Sequence, residues 1–328
     1  MKRKGYLYEQ IISVENLMLA DEKARKGKKN TYGVCLHDKN REENILMLHK
    51  QLKEKTFKTS PYTIFKITEP KERIIYRLPY YPDRIVHHAV VNVVGDLWSS
   101  VFTKDTYSCI KGRGIHGVLR QMKWDLKDVE NTKYCLKIDV KKYFPSINHD
   151  VLKSIIRKKI KDKDLLWLLD EIIDSTDGLP IGNYLSQYFA NLYLGYFDHY
   201  VKEVLKVKFY YRYTDDMVFL SKDKAQLHEL LYTIKDKIRN ECKLELKYNY
   251  QVFPTDKRGI DYVGYRFYSD HVLMRKSIKQ NLCRKVIKLN KRTDLTKDEF
   301  RQQICSWLGW AKHCNAKNLL TKLNIESI

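Results

Sequence analysis

Two β-type runs, Lys208 to Tyr213 and Met217 to Leu220, stand on either side of Thr214-Asp215-Asp216. Aromatic and β-branched runs this short, joined by so few polar residues, predict a hairpin. Its tip then carries two adjacent carboxylates. Taken alone, an Asp-Asp pair at a hairpin tip is an ordinary solvated turn. A second acidic point changes its meaning. Tyr134 to Val140, reading YCLKIDV, is a β-type segment that delivers Asp139, followed by a turn at Tyr143-Phe144-Pro145 and a helix from about Asn148 to Ile160.

The rest of the pattern supplies a body for these strands. Residues 7 to 55 read as helices, with apolar stripes Leu7, Ile11, Ile12, Val14, Leu17, Leu19 and Ile45, Leu46, Leu48, Leu52 separated by a basic turn from Lys23 to Asn30. Tyr62 to Ile67 and Arg73 to Leu78 read as strands joined by the turn Glu69-Pro70-Lys71-Glu72, and a helix follows from about Pro82 to Trp98. Further helices are expected over Asp164 to Asp174, Tyr184 to Leu205 and 225 to 240, with a loop at Gly178-Leu179-Pro180-Ile181-Gly182 and strands over 243 to 253 and 261 to 268. Residues 271 to 328 hold thirteen Lys/Arg against four acids, a net +9, and read as a basic helical module. The centre is therefore an α+β arrangement, an antiparallel-rich sheet with helices on one face. With 13 Gly and 7 Pro in 328 residues and no Ser/Gly or Pro-rich linker, the parts are expected to pack together.

Charge narrows the partner. Sixty-two Lys and Arg against 40 Asp and Glu leave +22, an excess that points to a polyanion, nucleic acid first. The seven cysteines are odd in number and scattered, with no CxxC pair, and read as reduced thiols. No run of about 18 apolar residues and no signal-type start occurs, so a cytoplasmic protein without a membrane partner is expected. His87, His88, His116 and His149 have no carboxylate or Cys at ligand spacing and read as packing or phosphate-contact residues.

If the strands bearing Asp139 and Asp215-Asp216 are neighbours, three carboxylates converge. Like charges so close raise one another's pKa, and divalent cations between them reverse that cost. Oxygen ligands suit Mg²⁺. Two such ions about 4 Å apart would activate a 3′-hydroxyl and stabilise leaving pyrophosphate.

At this point the residues resemble the reverse transcriptases, in order along about 200 residues. Lys137-Ile138-Asp139-Val140-Lys141-Lys142-Tyr143-Phe144 is similar to the family's first catalytic strand, and Tyr213-Thr214-Asp215-Asp216 to its tyrosine-any-Asp-Asp hairpin. Gly178 to Gly182 with Ser186-Gln187 resembles the loop and helix under the nascent base pair. Arg73, Pro79, Asp83, Arg84, Ile85 and Val86 resemble the fingers motif, Lys111 to His116 the template-side loop, and Gly259 to Tyr265 the primer-grip hairpin. The resemblance implies a right-hand polymerase: a helical extension over 1–60, fingers over 61–125, a palm with inserted fingers elements over 126–268 and a basic helical thumb over 269–328. It implies RNA-directed DNA synthesis, with Asp139, Asp215 and Asp216 catalytic and, together with Val140, holding two Mg²⁺ or substituting Mn²⁺. Phe144 is then a steric gate against a 2′-hydroxyl. Arg73, Lys142, Ile181, Gly182 and Gln187 line the deoxynucleotide pocket, Lys142 being equally readable as a solvated surface charge. Lys247 is a candidate proton donor to pyrophosphate.

The family's loop usually carries Gln before its Gly and Pro after its Ser; here Ile181 and Gln187 stand in those places. That variant resembles the reverse transcriptases of diversity-generating retroelements, in the group II intron-like lineage. The implied partners are a template-repeat RNA, the cDNA/RNA duplex and a small basic accessory protein, with synthesis error-prone opposite adenine. A group II intron-like or defence-associated reverse transcriptase of ordinary fidelity, and a non-catalytic RNA-binding scaffold, are the alternatives.

Overall fold

The structure is a computed structural model and describes residues 3–68, 72–292 and 294–325. Most of the turn expected at Glu69 to Glu72 lies outside these residues. The chain divides into two compact units, each assembled from three separate stretches.

The first unit comprises Met1–Cys109, Val140–Lys206 and Lys235–Lys247. Its N-terminal part is four helices, Tyr8–Ile12, Val14–Ala24, Tyr32–Asp38 and Arg41–Lys53, within the residues read as helical; Tyr32–Asp38 lies outside both apolar stripes, and Leu19 and Leu46 of those stripes are exposed. Their inward residues Leu17, Ala20, Ile45, Leu48 and Leu52 are buried, as are Ile85, Val86, Ala89 and Val90 of the helix Ile85–Ser99. Burying such side chains contributes about 1.5–3 kcal/mol for each large one. Side-chain caps fix the helix starts: Ser13 accepts from the Asn16 amide, Asn148 from Val151 and Asp162 from Leu165. Asp162 also accepts from the amides of Leu7 (2.7 Å) and Tyr8 (3.0 Å), tying the first helix to the start of helix Lys163–Ile173. Strands β1 (Thr63–Ile67) and β2 (Arg73–Arg77) form an antiparallel hairpin with Ile67 opposite Arg73.

The second unit comprises Ile110–Asp139, Val207–Ile234 and Tyr248–Ile328. Strands β3 (Tyr134–Asp139), β4 (Phe209–Tyr213), β5 (Asp216–Ser221) and β6 (Gln251–Pro254) make an antiparallel sheet in the order β4-β5-β3-β6. Its central strands are buried over Cys135, Leu136 and Ile138 and over Met217 to Leu220, which is why they read as near-continuous apolar runs. A meander of β7 (Ile260–Tyr262), β8 (Tyr265–Phe267) and β9 (Val272–Met274) follows. The basic tail forms helices Lys276–Asn290, Lys297–Ala311 and Lys317–Lys322 around Leu282, Val286, Leu289, Ile304 and Leu308.

Four expectations change. The helix expected over Tyr184 to Leu205 is broken: Tyr184–Tyr193 ends at Leu194 (ψ 3°), and Gly195–His199 begins at a glycine lying against Val101. The strand expected over 243–253 exists only at its end, as β6; upstream of it a lone antiparallel bridge joins Leu246 to Val140. The strand expected over 261–268 is two three-residue strands, because Val263 (φ 41°) and Gly264 (φ 90°) turn the chain back. A helix, Gly114–Asp125, takes in the last three residues of the loop expected at Lys111 to His116 and continues toward β3.

Candidate active site

The acidic centre begins with register. β3 and β5 pair antiparallel so that Asp139 lies directly opposite Asp216, and β4 and β5 pair so that Tyr213 lies opposite Asp216. Thr214 and Asp215 are therefore the whole hairpin loop, with Thr214 in the left-handed region at φ 59°. Directly opposed residues in such a pair have Cα atoms roughly 4.5–5.5 Å apart. The fully buried Arg212 donates from Nη1 to the Thr214 carbonyl (2.9 Å), which braces the tip from below.

The Asp216 carboxylate feels the charges around it. Asp216 is pushed up to about 6: desolvation is the main cause, Lys137 opposes it, and the charges of Asp139 and then Asp215 add to the rise. Its Oδ1 is buried and has no hydrogen-bond partner, while Oδ2 lies 3.3 Å from the Lys137 ammonium. Lys137 Nζ also donates to the Asp261 carbonyl (2.7 Å) and stands 5.6 Å over the Tyr262 ring. The Tyr262 hydroxyl in turn donates to the backbone carbonyl of Asp216 (2.9 Å).

A hard divalent cation fits the chemistry of this donor set, which is all oxygen and includes a buried carboxylate oxygen lacking a partner. The set is not closed, however: among the described residues no group of three or more His, Cys, Asp and Glu is gathered so as to hold a metal ion. Val140, included with the metal-holding residues on sequence, is fully buried and takes part in the bridge to Leu246.

The residues assigned to a nucleotide lie in the first unit and are organised around the Gly178 to Gly182 loop. The Leu179 amide donates to the Phe144 carbonyl (2.8 Å), and a His149 ring nitrogen bonds the Gly178 carbonyl (2.8 Å). Gly178 (φ 61°) has no room for a side chain: a Cβ there would lie 2.7 Å from the Phe144 carbonyl oxygen. At the other end, Tyr76 of β2 donates its amide to the Ile181 carbonyl (2.8 Å), and a Cβ on Gly182 (φ 123°) would meet the Tyr76 carbonyl oxygen at 2.7 Å. So the loop is fastened to both the Phe144 turn and the β1–β2 hairpin.

Within that frame Tyr143 is buried, its hydroxyl donating to the Ala190 carbonyl (2.5 Å), whereas Phe144 beside it is half-exposed. Of the two adjacent aromatics, Phe144 is the more exposed. Lys142 is exposed with φ 46°, and Arg73 is exposed at the start of β2. Gln187 is half-buried and its Oε1 accepts from the Cys109 thiol (3.4 Å). Lys247 is half-buried. Sequence reasoning missed Lys137, Arg212 and Tyr262. The period of two along a strand was the available signal for Lys137, which shares a face with Asp139.

The family model described as Reverse transcriptase (RNA-dependent DNA polymerase) matches residues 65–267, most of the chain, and the chain belongs to that family of RNA-directed DNA polymerases. Among curated proteins it is 24% identical over 234 residues to Protein YkfC of Escherichia coli (strain K12), covering 58% of this chain and 61% of that protein. It is 25% identical over 181 residues to the Group II intron-encoded protein LtrA of Lactococcus lactis subsp. cremoris, covering 51% of this chain and 30% of LtrA. The chain thus spans less than two thirds of either relative. Among solved structures it resembles telomerase from Candida albicans bound to a TWJ fragment of telomeric RNA: TM-score 0.51, 12% identity, 83% of this chain and 56% of that one. That likeness supports the mixed helix and antiparallel-sheet fold.

Proposed function

We propose that this protein synthesises DNA on an RNA template, with Asp139, Asp215 and Asp216 as the catalytic carboxylates. The observation that carries the reading is the register: Asp139 opposite Asp216, with Asp215 beside it at a two-residue tip. In this reading the three carboxylates, with Val140, hold divalent cations, Mg²⁺ or Mn²⁺. When bound, such ions supply charge neutralisation for attack by a primer 3′-hydroxyl on a deoxynucleoside triphosphate. The protein's own residues orient and select. Arg73 and Lys142 offer donors to the triphosphate, Phe144 excludes a 2′-hydroxyl by bulk, and Ile181, Gly182 and Gln187 shape the floor for the nascent pair. Residues 1–60 serve as a helical extension, 61–125 as fingers, 126–268 as palm and 269–328 as thumb. Template RNA and the cDNA/RNA duplex are the macromolecular partners, bound through the excess of cationic residues, and the odd number of scattered cysteines without a CxxC pair suits a cytoplasmic setting.

Ile181 supports a finer reading, an error-prone enzyme of a diversity-generating retroelement that copies a template-repeat RNA with a small basic accessory protein. An aliphatic residue cannot hydrogen-bond the nucleotide as an amide can, so right and wrong pairs differ less in transition-state binding. The similarity to LtrA supports the alternative, a group II intron-like enzyme of ordinary fidelity. Sequencing cDNA made on a defined RNA containing all four bases separates them. The first reading predicts errors concentrated opposite adenine, and fewer of them in Ile181→Gln; a flat, low error spectrum in the wild type supports the second. Absence of any cDNA overturns both.

A further inference from the structure

We infer that Lys137 is a built-in counter-cation of the acidic centre, a positioning residue with which a divalent ion must compete for Asp216. The inference rests on the reading of Asp139, Asp215 and Asp216 as metal-holding carboxylates, and it adds a residue to which that reading gives no role.

The geometry is specific. Lys137 lies two residues before Asp139 on β3, so both side chains leave the same face of the strand. Its ammonium has three neighbours: Asp216 Oδ2 at 3.3 Å, the Asp261 carbonyl oxygen at 2.7 Å and the Tyr262 ring at 5.6 Å. The last two belong to β7, whose position is fixed from both sides. Arg275 Nε holds the Asp261 carboxylate at 2.6 Å, and the Tyr262 hydroxyl donates to the Asp216 carbonyl at 2.9 Å. The lysine is therefore not a loose surface charge that swings past an acid. A strand's main chain and an aromatic face hold it against one oxygen of Asp216, and the other oxygen, Oδ1, stays buried without a hydrogen-bond partner.

This arrangement answers an electrostatic need. Three carboxylates at the end of two paired strands repel, and a buried anion without a compensating charge is costly. A lysine ammonium is a compact point charge on a flexible stem, able both to neutralise a carboxylate and to withdraw from it. The carboxylates can then stay folded before any metal arrives, at the expense of weaker affinity for a free ion. β7 lies in the segment that resembles the primer-grip hairpin, so the same anchor would let a primer strand there influence Asp216.

The test measures Mn²⁺ binding to the full-length protein without nucleic acid or nucleotide, by electron paramagnetic resonance of the free ion and by calorimetry. Wild type is compared with Lys137→Met, Lys137→Gln and Asp216→Asn, and with Asp216→Asn combined with Lys137→Met. Removing a cation this close to a ligand is expected to tighten Mn²⁺ binding about fivefold or more in both neutral variants. In the Asp216→Asn background, Lys137→Met should no longer tighten it. Folding of the neutral variants only when divalent metal is supplied would also support the inference, since metal would then be replacing the ammonium. Unchanged or weaker Mn²⁺ binding in folded Lys137→Met and Lys137→Gln, or failure of both to fold with or without metal, would overturn it and leave the carboxylate reading standing. Equal, negligible binding by wild type and Asp216→Asn would overturn the carboxylate reading itself, and this inference with it.

Discussion

At the scale of single residues, the chemistry is carried by positions whose neighbours leave them one task. Tyr143 and Phe144 are adjacent aromatics, yet the first is buried with its hydroxyl on Ala190 and the second is half-exposed with its carbonyl held by Leu179. Phe144→Ala is therefore expected to leave the loop bond in place and to widen sugar selection. The ratio of kcat/KM for a deoxynucleotide over its ribonucleotide should fall at least about tenfold, as steric discrimination of this size commonly amounts to; an unchanged ratio would remove Phe144 from the substrate. The sequence made Asp139, Asp215, Asp216 and Phe144 visible because their spacing is local. It hid Lys137, whose partners are fixed by strand pairing and by the distant backbone of Asp261, and Arg212, whose bond to the Thr214 carbonyl depends on the turn that follows β4.

At the scale of elements, strands with unbroken apolar runs and helices with clean stripes were legible, while breaks were not. Tyr184 to Leu205 has a helical pattern throughout, and the interruption at Leu194, next to a Gly195 that lies against Val101, leaves no mark in that pattern. Similarly, Gly114–Asp125 begins at a Gly-Arg-Gly stretch that reads locally as a loop. One buried anion links the N-terminal helices. Asp21 accepts from Arg25, Arg41 and Tyr80 and touches His37. Burial pushes its carboxyl up, but the bonds from Tyr80, Arg41 and Arg25 outweigh that and hold it below the usual carboxylate range. Burial likewise lowers the His37 pKa, the nearby Asp21 opposing it. Both groups are depressed in the folded state, so their stabilisation is present above the unfolded values and is lost as pH falls. Thermal unfolding should show the melting temperature dropping below about pH 6.5, as His37, together with His87 and His88, whose pKa values burial also lowers, begins to bind protons in the unfolded chain, and again below about pH 4 for Asp21 and the other carboxylates held low, Asp162 and Asp174. Asp21→Asn should reduce the loss at the lower of these two steps; an identical pH profile would show that the network contributes nothing.

At the scale of the whole molecule, charge dominates. The surplus of 22 cationic residues has no counterpart in the ion pairs of the fold, many of which are exposed and contribute little each. Binding to an RNA/DNA duplex is therefore expected to weaken steeply with salt. With six to ten phosphates neutralised, affinity should drop about 10³ to 10⁵-fold between 50 and 200 mM salt, as measured by fluorescence anisotropy over a salt series; a flat dependence would mean that the positive charge serves another purpose. Composition is what points to that partner, because net charge needs no fold to be read. The grouping of the chain into two units of three stretches each was not legible, because local pattern carries no record of which distant segments meet.

The central claim is that the hairpin-tip carboxylates perform RNA-templated DNA synthesis. Its most direct test is primer extension on an RNA template by wild type and Asp215→Ala, with RNA affinity measured on the same preparations. The account predicts DNA product from the wild type and a loss of at least about 100-fold in the variant, given that second-sphere changes around a metal alone cost 10–100-fold, with RNA binding kept. Extension at wild-type rate by Asp215→Ala, or no extension by the folded wild type, would contradict it.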